Sequence, residues 1–105
     1  MSEPLLGNYV VLKEDTPKNL RFRDHQIVPK LIVDPMTHTP KQINALQFYV
    51  EEEDGRRVDK IYSITSEKHA QQFAPFLEGY KYRGKLFTIT IRGKGFLREY
   101  TVAVS

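Results

Sequence analysis

The sequence predicts a mainly β chain of five strands with one short helix between the third and the fourth. Three observations carry this reading. Apolar residues alternate with polar ones in segment after segment of the 105 residues, the period of a half-buried strand. An Asp-Gly pair at 54 and 55 separates two such segments, as a tight hairpin requires. One stretch only, behind Ser66, has apolar residues at helical spacing.

Taken in order, residues 1–19 hold one short apolar run, Tyr9 to Leu12, followed by the polar breaker EDTPK. They are expected to form an arm or an extra edge strand. From Leu20 to Val33 the chain reads LRFRDHQIVPKLIV. Leu20 and Phe22 share one parity, while Ile27, Leu31 and Val33 share the other. A switch of parity inside one extended run predicts a bulge or bend near Asp24 to Gln26, and Pro29 is tolerated only at an edge or irregularity. DPMTHTPK is a loop, rich in turn residues. INALQFYVE makes the second strand, with Leu46, Phe48 and Val50 on one face. VDKIYSIT makes the third, burying Tyr62 and Ile64. Ser66 is the expected N-cap of a helix through Ala70, Phe73, Ala74 and Leu77. Pro75 should kink or end it, and Gly79 should stop it. KLFTITIR turns Phe87, Ile89 and Ile91 inward, RGKGF makes a turn, and LREYTVAV closes the chain with Tyr100, Val102 and Val104 on one face.

This order of elements, with its bent first strand, resembles the OB-fold, a five-stranded partly open barrel. The resemblance covers residues 20–104 and rests on pattern. It implies an OB-like barrel over residues 20–105. It also implies a binding surface on strands two and three, flanked by the loops joining strands one to two and four to five.

Bulk properties narrow the chemistry. No apolar run approaches the roughly 20 residues of a membrane span, and the N-terminus lacks the organisation of a signal peptide. A cytoplasmic location is expected. Without cysteine there is no thiolate nucleophile or thiolate metal site. Net charge is only +3, but residues 1–78 hold 10 Lys/Arg against 12 Asp/Glu and residues 79–105 hold 6 against 1. That asymmetry suits a polyanion-facing side as well as it suits a solvated basic face.

Gly79 to Lys85, GYKYRGK, has the spacing of a phosphate loop but not its context. A helix precedes it and a strand follows, its intervening residues are bulky, and Leu86 stands where Ser or Thr would hold Mg²⁺. Ser63, Ser66, His69 and Asp59 nominate no catalytic set, and His25, His38 and His69 have no metal-ligand spacing. Neither an enzyme nor a cofactor is expected. Cations interleaved with aromatics are instead what single-stranded nucleic acid needs, the cations following phosphates and the rings stacking on bases. On the surface that the OB-fold resemblance implies, the expected contacts are Tyr49 and Lys60 on the strand face, Lys41 in the first loop and Arg92, Lys94 and Phe96 in the last, with Arg21 and Arg23 lining the same groove from strand one. Tyr49 serves equally as a cross-strand partner of Ile61, and Phe96 can tuck under its own hairpin. Tyr80 and Tyr82 are expected to pack beside the helix. The predicted function is non-enzymatic binding of single-stranded nucleic acid, DNA favoured over RNA, with little sequence preference. The alternative is a protein-interaction barrel, an adaptor or subunit, and a homo-oligomer is compatible with both.

Overall fold

The computed structural model describes residues 8–34, 36–93 and 98–105. The strands are β1 (Lys18–Val33), β2 (Pro40–Glu53), β3 (Arg56–Ile64), β4 (Phe87–Arg92) and β5 (Glu99–Val104). They form one antiparallel sheet in the order β3-β2-β1-β4-β5. Between β3 and β4 lie α1 (Glu67–Gln71), α2 (Ala74–Leu77) and a 3₁₀ turn over Glu78–Tyr80. The single kinked helix expected from Ser66 onward is therefore two short ones. Ser66 Oγ accepts from the His69 backbone N–H at 3.3 Å, capping α1, and Pro75 sits in the first turn of α2, where its missing N–H costs nothing.

The parity switch in β1 is a bulge. Phe22 pairs with Val50 and Asp24 with Tyr49, which leaves Arg23 as the extra residue. Before it, Leu20 and Phe22 face the core; after it, His25 and Ile27 share the face of Phe48 and Leu46. Asp54 and Gly55, with φ of 49° and 84°, make the predicted tight turn between β2 and β3.

The core is aromatic. Phe22 stacks on Phe48 with centroids 4.1 Å apart, and Phe73, Tyr82 and Phe87 meet it at larger angles. All five are fully buried. Such pairs contribute about 0.5–1.5 kcal/mol each beyond the area they bury, so they anchor the helices and the 3₁₀ turn to the sheet.

The expected barrel is corrected by the sheet itself, which is not closed. Its edges are β3 and β5, and among the described residues they do not pair. The chain before β1 occupies part of the β3 edge and then reaches β4. Ile61 of β3 donates to Asn8 O at 2.8 Å and accepts from Val10 N at 2.9 Å, and Asp15 N donates to Ile91 O of β4 at 2.8 Å. The arm thus spans from β3 to β4 through isolated bridges rather than as a strand, with Val10 and Leu12 packed on the core.

A second departure concerns Ile27, Leu31 and Val33. They follow the core parity but are 55%, 74% and 65% exposed. β4 pairs with β1 only over Lys18–Leu20, and β3 reaches β2 only from Leu46 onward. Residues 26–33 and 40–44 therefore run on as a two-stranded ribbon past the core that would cover them.

No helix among the described residues is long and apolar enough to cross a membrane.

Candidate nucleic-acid interface

Beside the stretch of β1 that β4 leaves unpaired past Leu20, the β1 bulge and the 79–85 segment build a chain of contacts. Because Arg23 is the bulged residue, its side chain leaves the ladder and lies over the Tyr49 ring, with Cζ 5.5 Å from the centroid. It also pairs with Asp59 at 3.1 Å. Arg83 Nε donates to the Arg23 carbonyl at 2.9 Å, and the Arg83 guanidinium lies 4.5 Å above the Tyr80 ring. Tyr80, Arg83, Arg23 and Tyr49 thus form one run of contacts, with a guanidinium over a ring at each end. Tyr80 is 46% exposed and stands at φ 53°, directly after Gly79 at φ 70°. A bulky residue in the left-handed region costs of order 1–3 kcal/mol and persists only where its surroundings hold it. Here the hold comes from Arg83 above the ring, with His25 at 5.4 Å and Tyr82 at 5.9 Å.

The same segment could not act as a phosphate loop, for a reason beyond its sequence. Tyr82 N, Arg83 N and Lys85 N donate to Phe76 O, Tyr80 O and Tyr82 O. Three of the amides that would wrap a phosphate are already engaged in the turns of residues 76–85.

The other expected contacts scatter. Arg21 lies beside the ladder but pairs with Glu52 at 3.2 Å and points a second nitrogen at Gly84 O at 3.5 Å. Lys41 is exposed at the start of β2, on the ribbon. Arg92 lies at the end of β4, 3.9 Å from Asp15 of the arm. Lys94 and Phe96 fall outside the described residues. Lys60 does not share the face of Tyr49, because it pairs with Val50 and so has core parity. Its Nζ meets Glu53 at 2.7 Å, and Lys18 Nζ meets the other oxygen at 3.0 Å. The Glu53 side chain is only 11% exposed. Burial pushes this carboxyl upward, but hydrogen bonds and charge from Lys60 and Lys18 outweigh it and hold it below the ordinary value. This trio is structural.

Gln47, on the parity of Tyr49, is 8% exposed and unavailable to a ligand. Lys30 Nζ on β1 donates to Ser63 Oγ on β3 at 3.0 Å, so its stem crosses the outer face of β2 and covers this stretch.

Two histidines hold tyrosines. His69, buried, faces Tyr62 Oη at 2.7 Å through Nε2 and Gln72 Oε1 at 2.6 Å through Nδ1. Since the amide oxygen only accepts, Nδ1 carries the proton and Tyr62 donates to Nε2. Gln72 Nε2 then donates to Tyr100 O at 2.9 Å, and the Tyr100 ring stacks on the imidazole at 3.9 Å. Burial lowers the His69 pKa and raises that of Tyr62. His25, half-buried beside the ladder, meets Tyr82 Oη at 2.6 Å through Nδ1. Burial, with the nearby Asp24 charge, pushes the Tyr82 hydroxyl up to about 12.

Among the described residues no group of three or more His, Asp or Glu side chains is placed to hold a metal ion. The sequence pattern singled out Tyr49 and Arg23 but put Tyr80 with the packing residues. Its adjacency to Gly79 was the available signal, since the turn that Gly79 starts carries Tyr80 outward. No protein-family model, curated protein or solved structure matches this chain.

Proposed function

We propose that this protein binds single-stranded nucleic acid without catalysing a reaction on it, DNA being the first ligand to test. Two guanidinium-over-ring pairs, Arg83 on Tyr80 and Arg23 on Tyr49, joined by the Arg83 Nε hydrogen bond to the Arg23 carbonyl, carry this reading. Rings offer stacking to any base, and guanidiniums offer both stacking and phosphate contact. The arginines are paired with Asp59 and Asp24, but these pairs are exposed, with the Asp24 contact at 4.0 Å. Exposed pairs contribute about 0–1 kcal/mol, so a phosphate can replace the carboxylate at small cost. That exchange predicts modest affinity and little sequence preference.

Fluorescence anisotropy with labelled oligothymidylate across a salt series tests the reading. Binding should weaken steeply with salt, and Arg23→Ala with Arg83→Ala should flatten the logarithmic slope by about 1.4, since each phosphate contact on a single strand contributes about 0.7. Absence of binding at low salt would sink it.

A second reading, an interaction module, is favoured by the ribbon, whose Ile27, Leu31 and Val33 lie exposed on one face. If it joins two copies of this chain, sedimentation velocity should give more than a monomer, and Leu31→Asp should restore the monomer. A dimer would also strengthen nucleic-acid binding through avidity.

A further inference from the structure

We infer that His25 is a base-reading residue of this surface, presenting Nε2–H as a hydrogen-bond donor beside the stacking ring of Tyr80. The inference rests on the nucleic-acid reading and adds a directional contact to one otherwise made of charge and stacking.

The argument starts from Tyr82. Its ring is fully buried, and among the described residues the one hydrogen-bond partner of its hydroxyl is His25 Nδ1 at 2.6 Å. A hydroxyl proton left without an acceptor at a buried position carries the desolvation cost of that group, about 1–3 kcal/mol. Tyr82 therefore donates and Nδ1 accepts. A neutral imidazole that accepts at Nδ1 must carry its proton at Nε2. The backbone reinforces the ring's placement, because His25 N donates to Asp24 Oδ1 at 2.9 Å, while Arg83 lies 4.0 Å from the same oxygen. The ring is further held between Phe48 at 6.1 Å and Tyr80 at 5.4 Å.

Nε2 lies across the ring from the buried hydroxyl and makes no hydrogen bond to any described residue. The second histidine shows what a purely structural ring looks like here, with both nitrogens engaged. His25 has one nitrogen fixed from inside and the other presented to a ligand. A donor beside a stacking platform meets the acceptor atoms at the edge of a stacked base, such as a thymine carbonyl oxygen. It has no reason to seek phosphate.

The test uses the full chain and two strands of equal length and charge, oligothymidylate and a strand of abasic sites. Long-range ¹⁵N–¹H correlation spectra of the free protein should show His25 as the Nε2–H tautomer. His25→Phe together with Tyr82→Phe, which removes the hydroxyl that a phenyl ring would orphan, should weaken thymidylate binding about tenfold and leave abasic binding within twofold. His25→Gln, which keeps a donor on a similar reach, should recover most of the loss. An Nδ1–H tautomer, or equal losses on both strands, overturns the inference while the nucleic-acid reading stands. Failure of the unmodified protein to bind either strand at low salt overturns both.

Discussion

His69 and His25 each sit within 2.7 Å of a tyrosine hydroxyl, yet the two pairs do opposite things with what is left of the ring. His69 is closed. Both nitrogens are used, Tyr100 covers one face, and the chain of donors ends on a backbone carbonyl. His25 is open at one nitrogen, half-exposed, and next to a ring held in a strained conformation. A shared histidine–tyrosine pairing therefore leaves different chemistry behind, with both ring nitrogens engaged at His69 and one at His25.

Several substitutions can break this contrast, and the largest effect belongs to the closed pair. His69→Ala should destabilise the fold by about 3 kcal/mol, since it leaves a cavity and orphans the buried Tyr62 hydroxyl. His25→Ala, whose neighbours can reach water, should cost about 1 kcal/mol or less. Urea midpoints measure both, and equal costs would erase the distinction between them.

Acid should reveal the closed pair next. The folded-state pKa of His69 lies below that of the unfolded chain, so the unfolded chain takes up its proton first. Stability is thus full above about pH 6.5 and falls as pH drops from there toward the folded value, by at most about 1.4 kcal/mol per pH unit for one proton. His69→Leu should abolish the slope in that window. Glu53, also held below its ordinary value, adds a separate loss only at lower pH, as the carboxyl protonates through its folded value. Chemical denaturation from pH 7 to pH 3 separates the two steps.

The tyrosines sharpen the comparison further. Tyr62→Phe removes the donor to a buried nitrogen and should cost about 1–2 kcal/mol. Tyr82→Phe should cost about 1 kcal/mol or less, because half-exposed His25 can turn to solvent, and it should release the His25 tautomer. Smallest of all, Arg23→Ala should change stability by about 0.5 kcal/mol or less, as exposed pairs do. A loss above about 2 kcal/mol would make Arg23 a structural residue.

Much of the architecture was legible beforehand, for local reasons. Period-two alternation placed all five strands, the phase change between Phe22 and Ile27 announced the bulge, and Asp54-Gly55 announced its turn. The candidate surface was legible in part. Arg23 and Tyr49 lie together because the bulge throws Arg23 out of the ladder. Lys60 has core parity because it stands two residues from Tyr62 in unbroken register with β2, so period two already set its face apart from Tyr49. Tyr80, expected to pack beside the helix, does meet His25 and Tyr82 but is 46% exposed, which its positive φ after Gly79 brings about and no period in the sequence announces.

Composition and spacing by themselves determined the strand identities, the helix position, the absence of thiol chemistry and the polarity of the two ends of the chain. Each depends on neighbours within a few residues. Only the tertiary structure decided that the sheet stays open, that the ribbon outruns its core, and which cations are already paired. Those outcomes turn on contacts between distant segments, such as Asn8 with Ile61 and Lys18 with Glu53. Contacts between segments so far apart leave no period or motif in the sequence.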